Sequence, residues 1–271
     1  MYAAPTLFPS GPDRSAPWID RPRRWVQGLA LALLSGCAVM EGQPPPESER
    51  INDSAWARAN VLPVTGQVPD WTHQRLGNRP ASSYTPVVHN GRAAMRAQSE
   101  KGDSMLRLPL RTAGDAHWIL RFSWFVERLN EVANLEDRTL DDAVVRVILQ
   151  FEGDRSGFTE RDQRLSEWIQ LATGEPLPHA TLMYVWDARH PVGTVLLHPR
   201  TDRIKVLVVA SGPDRLGQWV DIERDVHADH VLAFGTPPQG LVGLGLMTDA
   251  NNTEQATESW YGPLSLLASA R

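Results

Sequence analysis

Short apolar segments separated by turn signals, at intervals of about ten residues, most restrict how this chain of 271 residues can fold. Such spacing is typical of β-sandwiches and β-barrels. The clearest unit is 83–89 and 92–99 joined by Asn90-Gly91, a preferred type I′ hairpin turn because both residues tolerate positive φ. We therefore predict an all-β fold, a single antiparallel β-sandwich of jelly-roll-like character over residues 60–271.

Further segments have the composition and spacing of strands: 104–110, 118–126, 143–151, 180–186, 194–198, 204–209, 218–224, 241–248 and 259–267. One segment instead has helical periodicity, with a capping-box-like start at Thr159 and Asp162 and a stop at Gly174 and Pro176. Its apolar stripe comprises Leu165, Trp168, Ile169 and Ala172, so we expect one amphipathic helix packed on the sandwich, with Trp168 in the core. Residues 225–233 fit a second, shorter helix.

The N-terminal segment has the features of an export signal. Arg21, Arg23 and Arg24 precede an uncharged stretch over 25–40, which is too short to span a bilayer but suits the apolar region of a signal peptide. Leu34-Ser35-Gly36-Cys37 resembles the bacterial lipobox, which implies that Cys37 is diacylated and becomes the mature N-terminus. A plain cleaved signal peptide, or an uncleaved anchor in which Cys37 is incidental, is the alternative.

The domain organisation follows from this assignment. Residues 1–37 are an N-terminal extension and lipoprotein-type signal peptide, and residues 38–59 are a tether with three consecutive prolines at 44–46. Residues 60–271 are the folded domain. Ala38 is not the aspartate that retains many lipoproteins at the inner membrane. We therefore expect a periplasm-facing outer membrane lipoprotein, held in the bacterial cell envelope by its lipid anchor.

Composition excludes several classes of function. The chain has 27 basic and 32 acidic residues, with no basic cluster on a predicted face, so we expect no nucleic-acid partner. Its single cysteine excludes an internal disulfide, an iron–sulfur site and a zinc knuckle. The chain contains no nucleophile-elbow, HExxH, dinucleotide-binding or P-loop motif, and we expect no cofactor apart from a structural Ca²⁺ considered below.

The order of several short motifs resembles a known family. They are Trp118 and Trp124; Asp141 to Val144 with Arg146 and Phe151; Tyr184-Val185-Trp186; Trp219 with Arg224-Asp225-Val226 and Asp229; Phe234-Gly235; and Thr248 to Thr253. In this order they resemble the bacterial family called domain of unknown function 3047. The resemblance implies an exported protein with one β-rich domain and brings no assigned activity. The chain departs from the family pattern at Asn251, where a second aspartate is more common.

Four groups of residues are candidates for a site. Asp141, Asp142 and Arg146 form the densest polar feature, although a structural role, capping the loop or pairing with a neighbouring strand, is the favoured reading. Trp71, Trp219 and Trp260 lie near predicted turns, where exposed rings could stack on sugars. The oxygen-rich segment with Asp249, Asn251 and Asn252 suits a Ca²⁺ ion or an ordinary turn. His227 and His230, with Asp225 and Asp229, form a weaker metal candidate.

These observations favour a binding protein over an enzyme. We expect an exported, lipid-anchored envelope protein whose β-sandwich binds a ligand, with carbohydrate as the ligand class. One alternative is an envelope glycan hydrolase that uses paired carboxylates such as Asp142 and Asp249. Another is a structural or assembly lipoprotein that has only protein partners.

Overall fold

The structure, a computed structural model, describes residues 47–63, 70–112 and 117–269. The helices are α1 (Glu47–Asn52), α2 (Ala55–Arg58), α3 (Glu160–Thr173) and α4 (Val226–Phe234). The strands are β1 (Thr72–Arg75), β2 (Ser83–His89), β3 (Arg92–Ser99), β4 (Ser104–Pro109), β5 (His117–Val126), β6 (Arg146–Phe151), β7 (Ala180–Asp187), β8 (Val195–Leu197), β9 (Ile204–Ser211), β10 (Trp219–Asp225), β11 (Leu241–Met247), β12 (Thr257–Tyr261) and β13 (Ser265–Ser269). The prediction of a β-rich fold is confirmed.

The strands form two sheets. The seven-stranded sheet has the order β1-β4-β11-β6-β7-β9-β8, and the six-stranded sheet has the order β10-β5-β12-β3-β2, with β13 also paired to β5. Both sheets contribute to one hydrophobic cluster, for example Trp124 and Leu120 from β5 with Leu149 from β6 and Leu244 from β11. We call the face of each sheet that points away from this cluster its outer face. None of the described helices is long and apolar enough to span a membrane.

The prediction of purely antiparallel pairing is wrong at one place. Strand β7 pairs in parallel with β9, while β8 pairs antiparallel with the other edge of β9. The chain leaving β7 therefore runs to the sheet edge as β8 and returns to insert β9 between the two. The excursion of the chain through β8 is what allows β7 and β9 to pair in parallel. Because β8 has only three residues, its sequence gives little indication of this excursion.

Most predicted strands are present with small shifts at their ends. The Asn90-Gly91 hairpin is confirmed, with φ of 46° and 77° at the two turn residues. The strand predicted over 143–151 begins at Arg146, and the strand predicted over 259–267 is two strands, β12 and β13. The chain between these two contains Gly262, whose backbone N–H donates to Ser123 on β5. Strand β1 was not predicted, because its sequence lacks apolar alternation.

The main predicted helix is confirmed, together with its capping box at Thr159 and Asp162 and its left-handed end at Gly174. The expectation that Trp168 lies in the core is wrong, since its exposed fraction is 52%. Leu165 and Ile169 pack instead against a small cluster that contains Phe158. A narrow apolar stripe suffices because α3 covers only part of the outer face of the seven-stranded sheet. The second predicted helix is present as α4, so the fold carries more than one helix.

The predicted tether overlaps the folded part. Helices α1 and α2 occupy residues 47–58, and Ile51 and Trp56 are each 1% exposed within the main hydrophobic cluster. Trp56 lies 5.0 Å from Trp71, measured between ring centroids. The ordered part therefore begins before residue 60, because burial of these two apolar side chains offsets the chain entropy of the docked segment. Cys37 and residues 38–46 lie outside the described residues.

Candidate functional site

A row of aromatic rings crosses the outer face of the six-stranded sheet. Trp219 on β10 and Trp260 on β12 are both in register with Phe125 on β5, which lies between them. The ring centroids of Trp219 and Trp260 lie 5.7 and 5.6 Å from that of Phe125. The three side chains share a face because residues in register on adjacent strands point to the same side of a sheet.

A histidine and an arginine from the Asn90-Gly91 hairpin complete this aromatic row. The His89 ring stacks on Trp260 with centroids 4.1 Å apart, and the backbone carbonyl of His89 accepts a hydrogen bond from Trp219 Nε1 at 3.3 Å. The Arg92 guanidinium lies 4.7 Å from the Trp219 ring centroid, within the range of a cation–π contact. Sequence reasoning missed His89 and Arg92. The Asn90-Gly91 turn predicts the hairpin but does not show that β10 and β12 bring Trp219 and Trp260 next to it.

A groove of about 460 Å³ lies beside the aromatic row. Two ion pairs line it: Arg92 Nη1 lies 2.6 Å from Asp221 Oδ1, and Arg121 Nε lies 2.6 Å from Glu223 Oε2. Gly262 borders Ser123, and a Cβ atom at Gly262 would overlap the Ser123 hydroxyl. The groove therefore combines planar charged side chains and a hydroxyl next to a ring, the set of groups that recognises sugar hydroxyls and pyranose faces.

The three tryptophans predicted as ligand-binding differ in exposure. Trp219 is half-buried and reaches the surface, whereas Trp71 and Trp260 are 3% and 6% exposed. Trp71 packs in the main hydrophobic cluster, so a surface role for it is wrong. Trp260 is a buried member of the row, and the His89 ring covers one face of its indole. Proximity to a turn did not predict exposure, because α1 and α2 cover Trp71.

The predicted polar residues meet at a different place, at the start of β6. Asp142 is 1% exposed, and its carboxylate accepts hydrogen bonds from the backbone N–H groups of Asn252 (3.1 Å) and Thr253 (2.6 Å). The Thr253 hydroxyl donates to the same carboxylate at 2.7 Å. Asp142 therefore joins the chain before β6 to the loop after β11, and its carboxylate is occupied by protein donors.

Arg146 does not pair with Asp142 but binds two other aspartates. Its Nη2 lies 2.9 Å from Asp141 Oδ1 and 3.2 Å from Asp249 Oδ2, and its side chain is 3% exposed. Burial, together with the neighbouring Asp142 and Asp141 carboxylates, raises the pKa of Asp249 to about 6, although Arg146 opposes this shift. Asp142 and Asp249 therefore form no exposed carboxylate pair of the kind that glycoside hydrolysis requires.

The residues proposed for Ca²⁺ make contacts within the protein. Asp249 Oδ1 accepts from the Ala143 backbone N–H at 2.9 Å, and the amides of Asn251 and Asn252 bond to one another at 3.0 Å. Within residues 47–63, 70–112 and 117–269, no group of three or more His, Cys, Asp or Glu side chains could hold a metal ion.

The two histidines on α4 contact different partners. His227 stacks on His117 of β5 with ring centroids 4.1 Å apart, while His230 is buried with its Nδ1 2.6 Å from the Thr236 carbonyl. Asp229, between them in sequence, binds the Tyr184 hydroxyl at 2.7 Å and pairs with Arg224. Asp225 accepts from the Ala228 backbone N–H at 3.0 Å and caps α4. The four groups therefore do not converge on one point.

His198 should make the protein sensitive to acid. Burial lowers the pKa of this histidine from 6.5 to about 4, with Arg146 and Arg200 adding to the shift and Asp141, 3.4 Å away, opposing it. Between these two values the unfolded chain binds a proton at this residue that the folded chain does not bind. The stability contributed by neutral His198 is therefore complete above pH 6.5 and is lost as the pH falls towards 4.

We expect His198→Asn to reduce this sensitivity, because an asparagine does not titrate and its amide oxygen can replace Nδ1 as the acceptor from the Arg200 backbone N–H. Urea unfolding at pH 7 and pH 5 should show the wild type losing about 2 kcal/mol relative to the variant over this interval. The difference should be constant between pH 7.5 and 8.5. Equal losses in the two proteins on acidification would refute the assignment.

The family model described as "Protein of unknown function (DUF3047)" matches residues 69–265. No curated protein matches the chain. Among solved structures, the chain is similar to endo-1,4-beta-glucanase CelB2, a cellulase in its native structure, with a TM-score of 0.40 and 11% sequence identity. That alignment covers 74% of this chain and 93% of the other.

Proposed function

Because the chain belongs to the DUF3047 family, described as proteins of unknown function, we propose a function from its own surface: it binds glycans in the bacterial cell envelope. The two sheets act as a β-sandwich of jelly-roll-like type whose six-stranded outer face carries the site. The observation that carries the proposal is the junction of the Trp219 ring with the ion-paired groove through one residue, Arg92. A sugar ring that takes the place of the Arg92 guanidinium on Trp219 would have hydrogen-bonding groups beside it.

The chemistry of this face suits a neutral or weakly charged sugar. The Arg92–Asp221 and Arg121–Glu223 pairs contribute equal numbers of positive and negative groups, so the groove has no charge preference of its own. In both pairs the side chains are partly exposed, and such pairs contribute little to stability. Their carboxylate and guanidinium groups can therefore exchange an intramolecular contact for sugar hydroxyls at small cost.

Binding should depend on Trp219. We expect Trp219→Ala in the full-length chain to weaken binding of its best glycan by about five- to a hundredfold, since stacking on an aromatic ring contributes about 1–3 kcal/mol. The measurement is intrinsic tryptophan fluorescence against a panel of peptidoglycan fragments and neutral polysaccharides. The matched control is Trp168→Ala, which removes an exposed tryptophan on α3, away from the groove, and should leave affinity unchanged.

Either of two outcomes would refute the proposal: no member of the panel binds, or Trp219→Ala binds as tightly as the wild type. Asp221→Asn offers a second variant, because it keeps the shape of the groove and removes one carboxylate. A chain that binds no glycan yet captures a defined envelope protein would support an assembly role instead.

The proposed location rests on the segment before the folded part. We propose that Cys37 is diacylated and anchors the protein to the periplasmic face of the outer membrane, as its lipobox-like context implies. We expect Cys37→Ala to abolish metabolic labelling with palmitate and to shift the protein from the membrane to the soluble fraction. Cys37→Ser, which preserves size and polarity, is the matched control and should behave as Cys37→Ala. Unchanged labelling in both variants would exclude Cys37 as the acylated residue.

A further inference from the structure

The outer face of the seven-stranded sheet has a depression at its centre. Arg107 of β4, Gly245 of β11, Ile148 of β6 and Met183 of β7 lie in register across four strands. A Cβ atom at Gly245 would overlap the side chain of Met105. The glycine therefore leaves room for the side chains of neighbouring strands to lean over β11, and the sheet surface is lowest there.

Helix α3 and the chain that follows it cover this depression and leave a chamber of about 140 Å³. Its apolar lining includes Met105, Ile148, Ile169, Met183, Ile204 and Met247. An apolar cavity of about 150 Å³ takes up benzene, so this chamber has the size for one aromatic ring or a short alkyl group. Three methionines make the lining adaptable to the shape of what enters.

A buried cation stands at the entrance of the chamber. Arg107, whose residue is 7% exposed, lines both the chamber and a larger adjoining cavity of about 700 Å³. Its Nε donates to Gln150 Oε1 at 2.8 Å, while Nη1 and Nη2 lie 3.0 and 2.7 Å from the two carboxylate oxygens of Glu175. This is the two-point geometry in which a guanidinium binds a carboxylate.

The two partners differ in how easily they can separate. The Glu175 side chain is 53% exposed and lies just after α3, whereas the Arg107 side chain is 8% exposed on the sheet. Release of Glu175 to water is therefore inexpensive, but Arg107 needs another anion in its place. A carboxylate from outside the chain would take the position on Arg107 that the Glu175 carboxylate occupies.

We propose that the chamber and the adjoining cavity form a second binding site, for a small carboxylate that bears an aromatic ring or a short alkyl group. The ring fills the chamber, and the carboxylate replaces Glu175 on Arg107. Glu175 is then an internal competitor for the site. The site lies on the opposite sheet from Trp219, and neither site requires the other.

The test uses 3-phenylpropionate, with 3-phenylpropan-1-ol as its uncharged analogue, added to the full-length chain and followed by ligand-observed NMR. We expect a Kd of about millimolar or tighter for the carboxylate, and we expect the alcohol to bind at least about tenfold more weakly. Glu175→Gln should tighten binding of the carboxylate several-fold, because an amide competes less well for a guanidinium. Arg107→Gln should weaken it at least tenfold.

Glu152→Gln is the matched control for Glu175→Gln. Glu152 lines the same larger cavity but pairs with Arg111, at 2.9 Å, instead of Arg107, so this change should leave affinity as in the wild type. Opposite effects of Glu175→Gln and Arg107→Gln establish the site. Equal binding of acid and alcohol, equal effects of the two Glu→Gln changes, or no binding would overturn it. Glu175→Gln alters an exposed side chain, so the test holds even if Arg107→Gln does not fold.

Discussion

Replacing Arg146 with methionine will lower the free energy of unfolding by about 3–5 kcal/mol, because it leaves buried carboxylates without their cation. Arg146 is 3% exposed, and its guanidinium contacts Asp141 and Asp249, which lie on opposite sides of it in sequence. Methionine approximates the length of the arginine stem but carries no charge to neutralise the two carboxylates. The measurement is urea unfolding at pH 7, followed by far-UV circular dichroism.

Two comparisons isolate the charge. In Arg146→Met combined with Asp249→Asn, the more deeply buried of the two unpaired carboxylates is removed, so the loss should be clearly smaller than in Arg146→Met alone. Arg164→Met is the matched control: Arg164 is 69% exposed and pairs with Glu160 at 3.4 Å along α3, so we expect a loss of about 0.5 kcal/mol or less. If Arg146→Met and Arg164→Met have equal effects, the buried ion cluster does not stabilise the fold.

Replacing Trp56 with alanine will also cost about 3–5 kcal/mol of stability, since it removes a large buried ring from the core. Trp56 is 1% exposed and packs against Trp71. Its indole Nε1 has no hydrogen-bond partner among the described residues, so Trp56→Phe keeps most of the packing and also removes an unsatisfied donor. Trp56→Phe should therefore lose much less stability than Trp56→Ala.

Trp168→Ala provides the matched control for the loss of a tryptophan. Trp168 is 52% exposed on α3, and we expect its replacement to change stability by no more than about 0.5 kcal/mol. Chemical unfolding of the full-length variants measures both changes. If Trp56→Ala were as mild as Trp168→Ala, residues 47–58 would be a tether, as the sequence first indicated, and not part of the folded domain.

The elements predicted well are those whose signals are local. The Asn90-Gly91 turn needs only two residues that accept positive φ, and the capping box at Thr159 joins groups three residues apart. Helices α1 and α2 were missed because six and four residues are too few to show a repeated helical period. They are stabilised by docking, which depends on a surface built by distant strands.

The candidate site was predicted only in part, for the same reason. Trp219 and Trp260 were recognised as candidates, but their common row with Phe125 depends on β10 and β12 lying on either side of β5. Arg146 and Asp249 were both named, yet not as partners, since they are 103 residues apart. Along a single strand, the side-chain period tells which residues share a face and not which strand lies next to it.

The sequence by itself determined the β-rich class, most strand positions, the main helix and the lipobox-like context of Cys37. Each of these follows from neighbours within a few residues, through backbone preference or through alternation of apolar and polar side chains. Only the tertiary structure decided that Trp71 is buried, that Trp168 is exposed, and that Arg107 faces a chamber beneath α3. Burial is decided by the surfaces that meet when distant segments pack, and so it depends on the whole fold.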